Sequence, residues 1–261
     1  MRENAVKRTL DAGGVSIGTF VAELATPNIG RLAASAGVDF MVIDQEHTGL
    51  TLESVKTIVS ASRSYDLTPI VRVPDAQYHL IAGALDVGAM GIMVPQVETV
   101  EEAEQIVSWA KYPPAGERGC GIYYPDLLIE GGLGATELRH NDQTQLIIQI
   151  ESVKGVEAVH ELAAIEGIDV LWIGAADLTT TMGIPGQFDD PRYLEALQTV
   201  ASAAQAAGKV AGMLSRTTDE AQLLLDLGYR MISHSADLWL YAAALKTGVD
   251  ELRALTPGAG R

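Results

Sequence analysis

Short apolar runs rich in β-branched residues alternate with longer amphipathic segments, eight times over, between residues 15 and 247. The runs read as strands at 15–20, 39–44, 68–73, 91–95, 145–151, 169–174, 209–214 and 231–233. The segments between them read as helices at 28–36, 52–64, 77–87, 100–110, 153–165, 191–207, 219–227 and 238–247. Gly37, Gly88, Gly167, Gly208, Gly228 and Gly248 follow six of these helices, where a left-handed stop belongs. The strands are apolar throughout rather than alternating, as in parallel sheets covered on both faces. Eight strand–helix repeats close most naturally as a (β/α)8 barrel, an α/β fold that 261 residues suit as a single domain over 1–261.

One stretch breaks the rhythm. Residues 111–141 are rich in Gly, Pro and Tyr without a clear strand, as expected of a lid or binding loop. Residues 256–261 read as a frayed end. The net charge of −16 argues against nucleic acid and anionic membrane surfaces as partners. The one cysteine, Cys120, permits no intrachain disulfide and fits a reducing compartment. The first residues have no apolar run of leader or membrane-spanning length, so a cytoplasmic location is expected.

The ends of the strands carry the chemistry. Strand 2 ends in Asp44-Gln-Glu-His47, strand 3 at Arg72, strand 4 at Pro95-Gln96, strand 5 at Gln149-Ile-Glu151 and strand 6 at Gly174-Ala-Ala-Asp177, while the strand starts carry nothing comparable. In an α/β barrel those ends form the active-site face. Glu151 and Asp177 stand 26 residues apart, about one strand–helix unit, so neighbouring strands would aim both acids at one place. A carboxylate ending a buried strand needs a compensating cation, and a divalent ion with oxygen ligands fits. Plainer roles are a rim salt bridge for Glu151, an N-cap for Asp177 and a solvent-facing helix end for Asp86. His234, at the end of strand 8, is a further candidate to face the pocket.

Ile43-Asp-Gln-Glu-His47, Val71-Arg-Val-Pro74, Leu85-Asp-Val-Gly88, Met93-Val-Pro-Gln96, Tyr112-Pro-Pro-Ala-Gly-Glu-Arg-Gly119, Gln149-Ile-Glu151 and Gly174-Ala-Ala-Asp-Leu178 occur in this order over most of the chain. Together they make it resemble the HpcH/HpaI aldolases, metal-dependent (class II) enzymes acting on 2-keto-3-deoxy and related 4-hydroxy-2-oxo acids. The resemblance implies reversible cleavage to pyruvate, or hydroxypyruvate, and an aldehyde. It implies a divalent metal, Mg²⁺ or Mn²⁺ with Co²⁺ possible, on Glu151 and Asp177. Arg72 would contact the keto oxygen and stabilise the enolate, and Gln149 would stand beside the metal water or pyruvyl group. His47 would be the catalytic base with Asp86 its carboxylate partner, and the backbone of Ala175 and Ala176 would bind the pyruvyl carboxylate. Asp44 and Glu46 are expected to support the site from behind, and Arg118 to close the long loop through an ion pair. The family also implies a homo-oligomer, in which barrels pair by exchanging the last helix and assemble as hexamers.

The chain departs from that pattern in two places. Ala175 stands where a proline is usual, and 123–134 carries two tyrosines where relatives are more polar, which suggests an altered aldehyde side. Rival chemistries are decarboxylation of an oxaloacetate-like acid or another lyase reaction on the same metal enolate, a Schiff-base aldolase for which Lys154 is the candidate, and a barrel serving only as a binding or scaffold subunit.

Overall fold

Every apolar run forms a strand, and each strand pairs in parallel with the next: β1 (Ser16–Val21), β2 (Phe40–Asp44), β3 (Thr68–Arg72), β4 (Gly91–Val94), β5 (Gln145–Ile150), β6 (Val170–Ile173), β7 (Val210–Ser215) and β8 (Met231–Ala236). β8 returns to β1, with Ser16 opposite Met231, and closes the barrel. The computed structural model describes residues 2–121 and 131–255. The tyrosine pair at 123–124 and the end at 256–261 lie outside the described residues.

Two apolar layers explain why the strands read as continuous runs. Phe40, Val42, Ile70, Met93, Ile147, Val170 and Trp172 point into the barrel. Met41, Ile43, Val71, Ile92, Ile148 and Leu171 point outward under the helices. The interior is a packed core, with the Phe40 ring edge-on to Trp172 at 6.4 Å between centroids. Gly18 on β1 and Gly212 on β7 make room for those rings. A Cβ at Gly18 would lie 2.4 Å from the Phe40 ring, and one at Gly212 would lie 2.5 Å from Trp172.

The helices are α1 (Ala5–Asp11), α2 (Ile29–Ser35), α3 (Leu52–Ser62), α4 (Tyr78–Asp86), α5 (Val100–Ala110), α6 (Gly132–Gln143), α7 (Val153–Glu157), α8 (Val159–Ala163), α9 (Ala175–Thr181), α10 (Pro191–Ala206), α11 (Thr218–Asp226) and α12 (Asp237–Ala254). The helix expected over 153–165 is split into α7 and α8, α9 was not among the expected helices, and three others also depart from the sequence reading. The first, α1, lies across the N-terminal end of the barrel. Asn4 caps it by accepting from the Val6 and Lys7 N–H groups, and its amide also donates to the carbonyls of Met90 and Gln143. The second, α6, occupies part of the stretch expected to be loop, where its low mean hydropathy hides the helical period. The third, α12, runs through Gly248, which lacks the left-handed φ of the other five expected stops; an open glycine costs a long helix only about 1 kcal/mol.

The strand starts are not chemically bare either. The Asp169 carboxylate accepts the Leu146 N–H at 2.7 Å and pairs with Lys7 at 2.7 Å, and Asp39 accepts the Ile17 N–H at 2.8 Å. These acids join backbone donors at the end of the barrel opposite the catalytic candidates.

The interior packing leads to a paired prediction. Gly18→Ala should destabilise by about 1–3 kcal/mol, because the Phe40 ring has nowhere to retreat. Gly134→Ala in α6, where a Cβ meets nothing within 4 Å, should be neutral or slightly stabilising. Urea midpoints of the two variants check this, and equal midpoints would contradict it.

Candidate active site

Arg72, the last residue of β3, is held from two sides. Its Nε and Nη2 donate to the two oxygens of Asp44 at 2.8 and 2.7 Å, a bidentate pair across adjoining strand ends. Its Nη1 lies 3.1 Å from the Glu46 carboxylate, and its guanidinium carbon lies 5.3 Å from the Phe20 ring centroid. Burial works against the Arg72 charge, but the hydrogen bonds and charge of Asp44, with Glu46 and Glu151 beyond, raise its pKa above the ordinary arginine value. The Asp44 carboxylate also accepts the Glu46 N–H at 3.0 Å, which fixes the turn leading to His47.

Glu151 follows β5 and is 3% exposed. Its carboxylate accepts the Gln96 N–H at 2.7 Å and the Gln149 side-chain N–H. Gln96 reaches it from a left-handed backbone, φ 56°, an uncommon conformation for a residue with a side chain. Gly174, at the end of β6, leaves the space that Glu151 fills: a Cβ there would lie 2.1 Å from a Glu151 oxygen. Desolvation pushes Glu151 up to about 7 against those two hydrogen bonds, with Glu46 and Asp177 adding repulsion. Glu46 is likewise raised to about 7, first by desolvation, with Arg72 opposing and Asp44 and Asp177 reinforcing.

Gly174 is the N-cap of α9, so Ala175 and Ala176 occupy its first two positions, where backbone N–H groups have no intrahelical acceptor. The helix starts at Ala175 without the usual proline. Asp177 lies within the first turn rather than at the cap. His47, Arg72, Gln149, Ala175, Ala176 and Asp177 all line one cavity of about 360 Å³ at the barrel mouth, together with the apolar surface of Phe20, Trp172 and Leu214. Glu151 lies against its wall through Gln149 and the Gly174 backbone.

Two expected placements are not found within this chain. The pairing of His47 with Asp86 is not made within this chain. Asp86 is 2.6 Å from the buried Arg118, whose guanidinium lies 4.6 Å from the Tyr112 ring centroid, so this acid closes the long loop as Arg118 was expected to do. The carboxylate beside His47 is Glu46, at 3.6 Å, and the imidazole is 60% exposed. His234 points to solvent and is absent from the cavity lining. Lys154 pairs with Glu98 on the surface, and among the described residues no lysine lines the cavity. The buried Lys111, lowered to about 8 by desolvation, donates to the carbonyls of Asn141 and Thr144, just before β5 begins.

The arrangement suits a divalent ion that takes few protein ligands. Among the described residues no three His, Cys, Asp or Glu side chains form a ready ligand set. Glu151 is buried without a neutralising partner of its own, faces the charge of Asp177, and adjoins Gln149, whose buried Oε1 has no partner among the described residues. Two carboxylates with water and ligand oxygens completing the shell are what Mg²⁺-like ions accept.

Sequence reasoning placed these acids but passed over the apolar floor and the rim residues Phe188, Arg216 and Trp239. Arg216 follows β7 directly and was legible by the same strand-end rule.

The raised carboxylates predict a pH dependence of stability in the presence of EDTA. Folded Glu46 and Glu151 hold protons that the unfolded chain releases above about 4.5, so stability falls as pH rises from about 4.5 to about 7. Urea midpoints at stepped pH should decline over that window, less steeply in Glu151→Gln; a rise would contradict the burial argument.

Comparison with known proteins places the chain in a family. The family profile described as HpcH/HpaI aldolase/citrate lyase matches residues 17–244. The 2-keto-3-deoxy-L-rhamnonate aldolase of Escherichia coli strain K12 is 34% identical over 242 residues, 93% of this chain and 90% of that protein. The crystal structure of an HpcH/HpaI aldolase from Desulfitobacterium hafniense DCB-2 superposes with a TM-score of 0.91 at 30% identity, covering 98% of this chain and 99% of that one. The citrate synthase SbnG superposes at 0.88 with 28% identity, covering 97% and 99%. The protein is a carbon–carbon lyase, and it belongs to the HpcH/HpaI aldolase/citrate lyase family.

Proposed function

We propose that this enzyme reversibly cleaves a 4-hydroxy-2-oxo acid to pyruvate, or hydroxypyruvate, and an aldehyde, with a divalent metal, Mg²⁺ or Mn²⁺, held by Glu151 and Asp177. Co²⁺ would satisfy the same oxygen donors. The carrying observation is the buried, unneutralised Glu151 carboxylate at the barrel mouth, near enough to Asp177 for the two charges to repel. The E. coli relative is named for a 2-keto-3-deoxy acid, a compound of the proposed substrate class.

Each residue then has a task. The N–H groups of Ala175 and Ala176 bind the substrate carboxylate, as helix starts bind anions. The bound ion would supply a Lewis acid for the keto and carboxylate oxygens. Arg72, clamped by Asp44 and Glu46, presents its guanidinium to the keto oxygen, where charge grows as the C3–C4 bond breaks. Gln149 stands beside the water or pyruvyl group, and its unpartnered Oε1 accepts a hydrogen bond from the water. His47 takes the C4 hydroxyl proton, the aldehyde departs with its new carbonyl, and the C3–C4 electron pair passes to the enolate. Protonation at C3 yields pyruvate, and addition runs the same steps in reverse. Within this chain the carboxylate nearest the imidazole is that of Glu46, at 3.6 Å.

The exposed apolar residues of α12, Trp239, Leu240, Tyr241 and Leu245 among them, favour a homo-oligomer that exchanges this helix and assembles from dimers to a hexamer. Of its 18 residues only Asp237 is buried, anchored by the N–H groups of residues 22–24. The free Cys120 suits a cytoplasmic setting, and the net charge of −16 opposes nucleic-acid or membrane partners. Among the described residues no helix is long and apolar enough to cross a membrane.

Four measurements test this reading. EDTA should abolish cleavage and Mn²⁺ or Mg²⁺ restore it, while His47→Ala should lower kcat by about 10²–10⁴-fold. Borohydride with pyruvate should leave no adduct; trapping one would overturn the metal mechanism. Light scattering should report a hexamer that Trp239→Lys with Tyr241→Lys dissociates, whereas a wild-type monomer would exclude helix exchange.

A further inference from the structure

Arg216 stands at the rim of the same cavity as Arg72, on the first position after β7. Apolar surface from Phe188, Trp172 and Leu214 also lines that cavity. One guanidinium thus belongs to the pyruvyl side, and a second is mounted elsewhere on the wall. In the proposed reaction the remainder of that space must receive the aldehyde.

Arg216 is mounted rigidly. Its backbone N–H and Nε donate to Glu220 Oε2 at 2.7 and 3.2 Å, and its Nη2 donates to Oε1 at 2.7 Å. Glu220 is itself fixed in the first turn of α11, where its N–H bonds the capping Thr217 hydroxyl at 3.1 Å. The guanidinium carbon lies 3.4 Å from the Phe188 ring centroid, and Phe188 packs edge-on against the buried Tyr193 at 5.7 Å. Among the described residues Nη1 makes no hydrogen bond and belongs to no ion pair. A side chain held by a carboxylate and an aromatic face has already lost its rotamer freedom, so its spare donors bind at little further entropic cost.

We propose that Arg216 determines specificity by donating a hydrogen bond to an oxygen on the distal part of the aldehyde, so the natural aldehyde carries a hydroxyl or carboxylate rather than a bare alkyl tail. This rests on the aldolase reading above. Glu220 offsets the arginine's charge, which weights the choice towards a neutral hydroxyl. The apolar wall beside it sets the length of carbon chain between the two ends.

The test compares pyruvate addition to glyceraldehyde, to succinic semialdehyde and to butanal in wild type, Arg216→Ala and Arg216→Lys. In Arg216→Ala the kcat/KM ratio of glyceraldehyde to butanal should fall about 10- to 100-fold, the loss expected for a hydrogen bond to a charged donor, and chiefly through the aldehyde KM. Arg216→Lys should recover part of it. A ratio that falls for succinic semialdehyde instead supports the proposal with a carboxylate as the acceptor. Equal losses for all three aldehydes would make Arg216 a latch between Phe188 and α11, and an unchanged ratio would leave it no role; either overturns the proposal. Solvent deuterium exchange at C3 of pyruvate in the wild type separates the two levels. Exchange with an unchanged ratio removes only Arg216, whereas no exchange removes the aldolase reading and this proposal with it.

Discussion

Four carboxylates, Asp44, Glu46, Glu151 and Asp177, share the mouth of this barrel with the Arg72 guanidinium, and with Arg216 paired to Glu220 that one positive charge does not balance them. Arg72 is used up on Asp44 and Glu46, one through a bidentate pair and one through its remaining nitrogen. Glu151 is left with two neutral donors, the Gln96 backbone and the Gln149 amide. Neutral donors do not compensate a buried carboxylate, so desolvation pushes Glu151 up to about 7, and Glu46 rises to about 7 by desolvation even against Arg72, with Asp44 and Asp177 repelling it. The geometry keeps this imbalance in place. The left-handed turn at Gln96 aims an N–H at Glu151, and the missing side chain of Gly174 lets the carboxylate settle against β6. A fold selected for stability alone would remove such a charge; retaining it suits a site that receives one of opposite sign.

The barrel was legible because its strands are buried on both sides. Runs such as 68–73 and 145–151 carry no polar face to blur them, and the strands fall within one to three residues of their expected ends. Helices that pack against the barrel were legible for a related reason, since their inward stripe repeats with the helical period. Where that packing is absent the signal failed. The helix α6 has a weak apolar stripe, and α12 leaves its apolar residues uncovered, so neither its length past Gly248 nor its partner followed from periodicity. The first helix was betrayed only by Asn4, a capping residue among ordinary ones.

The site shows the same division. Strand-end position identified His47, Arg72, Gln149 and Asp177, because parallel closure carries those ends to one face regardless of detail. Which carboxylate serves which cation depends on side-chain reach across strands. Asp86 lies at the end of α4 and is captured by Arg118, a residue over thirty positions away, while Glu46 beside His47 reaches both Arg72 and the imidazole. Arg216 escaped notice because the expected strand ended at 214, two residues before it, whereas β7 runs to Ser215.

If the acids at the mouth exist to hold a doubly charged ion, the affinity of the purified protein for that ion is the quantity to measure. Calorimetric titration of metal-free protein with Mn²⁺ should show one site per chain, with binding lost in both Glu151→Gln and Asp177→Asn. Undiminished Mn²⁺ affinity in both variants would contradict the account at its base.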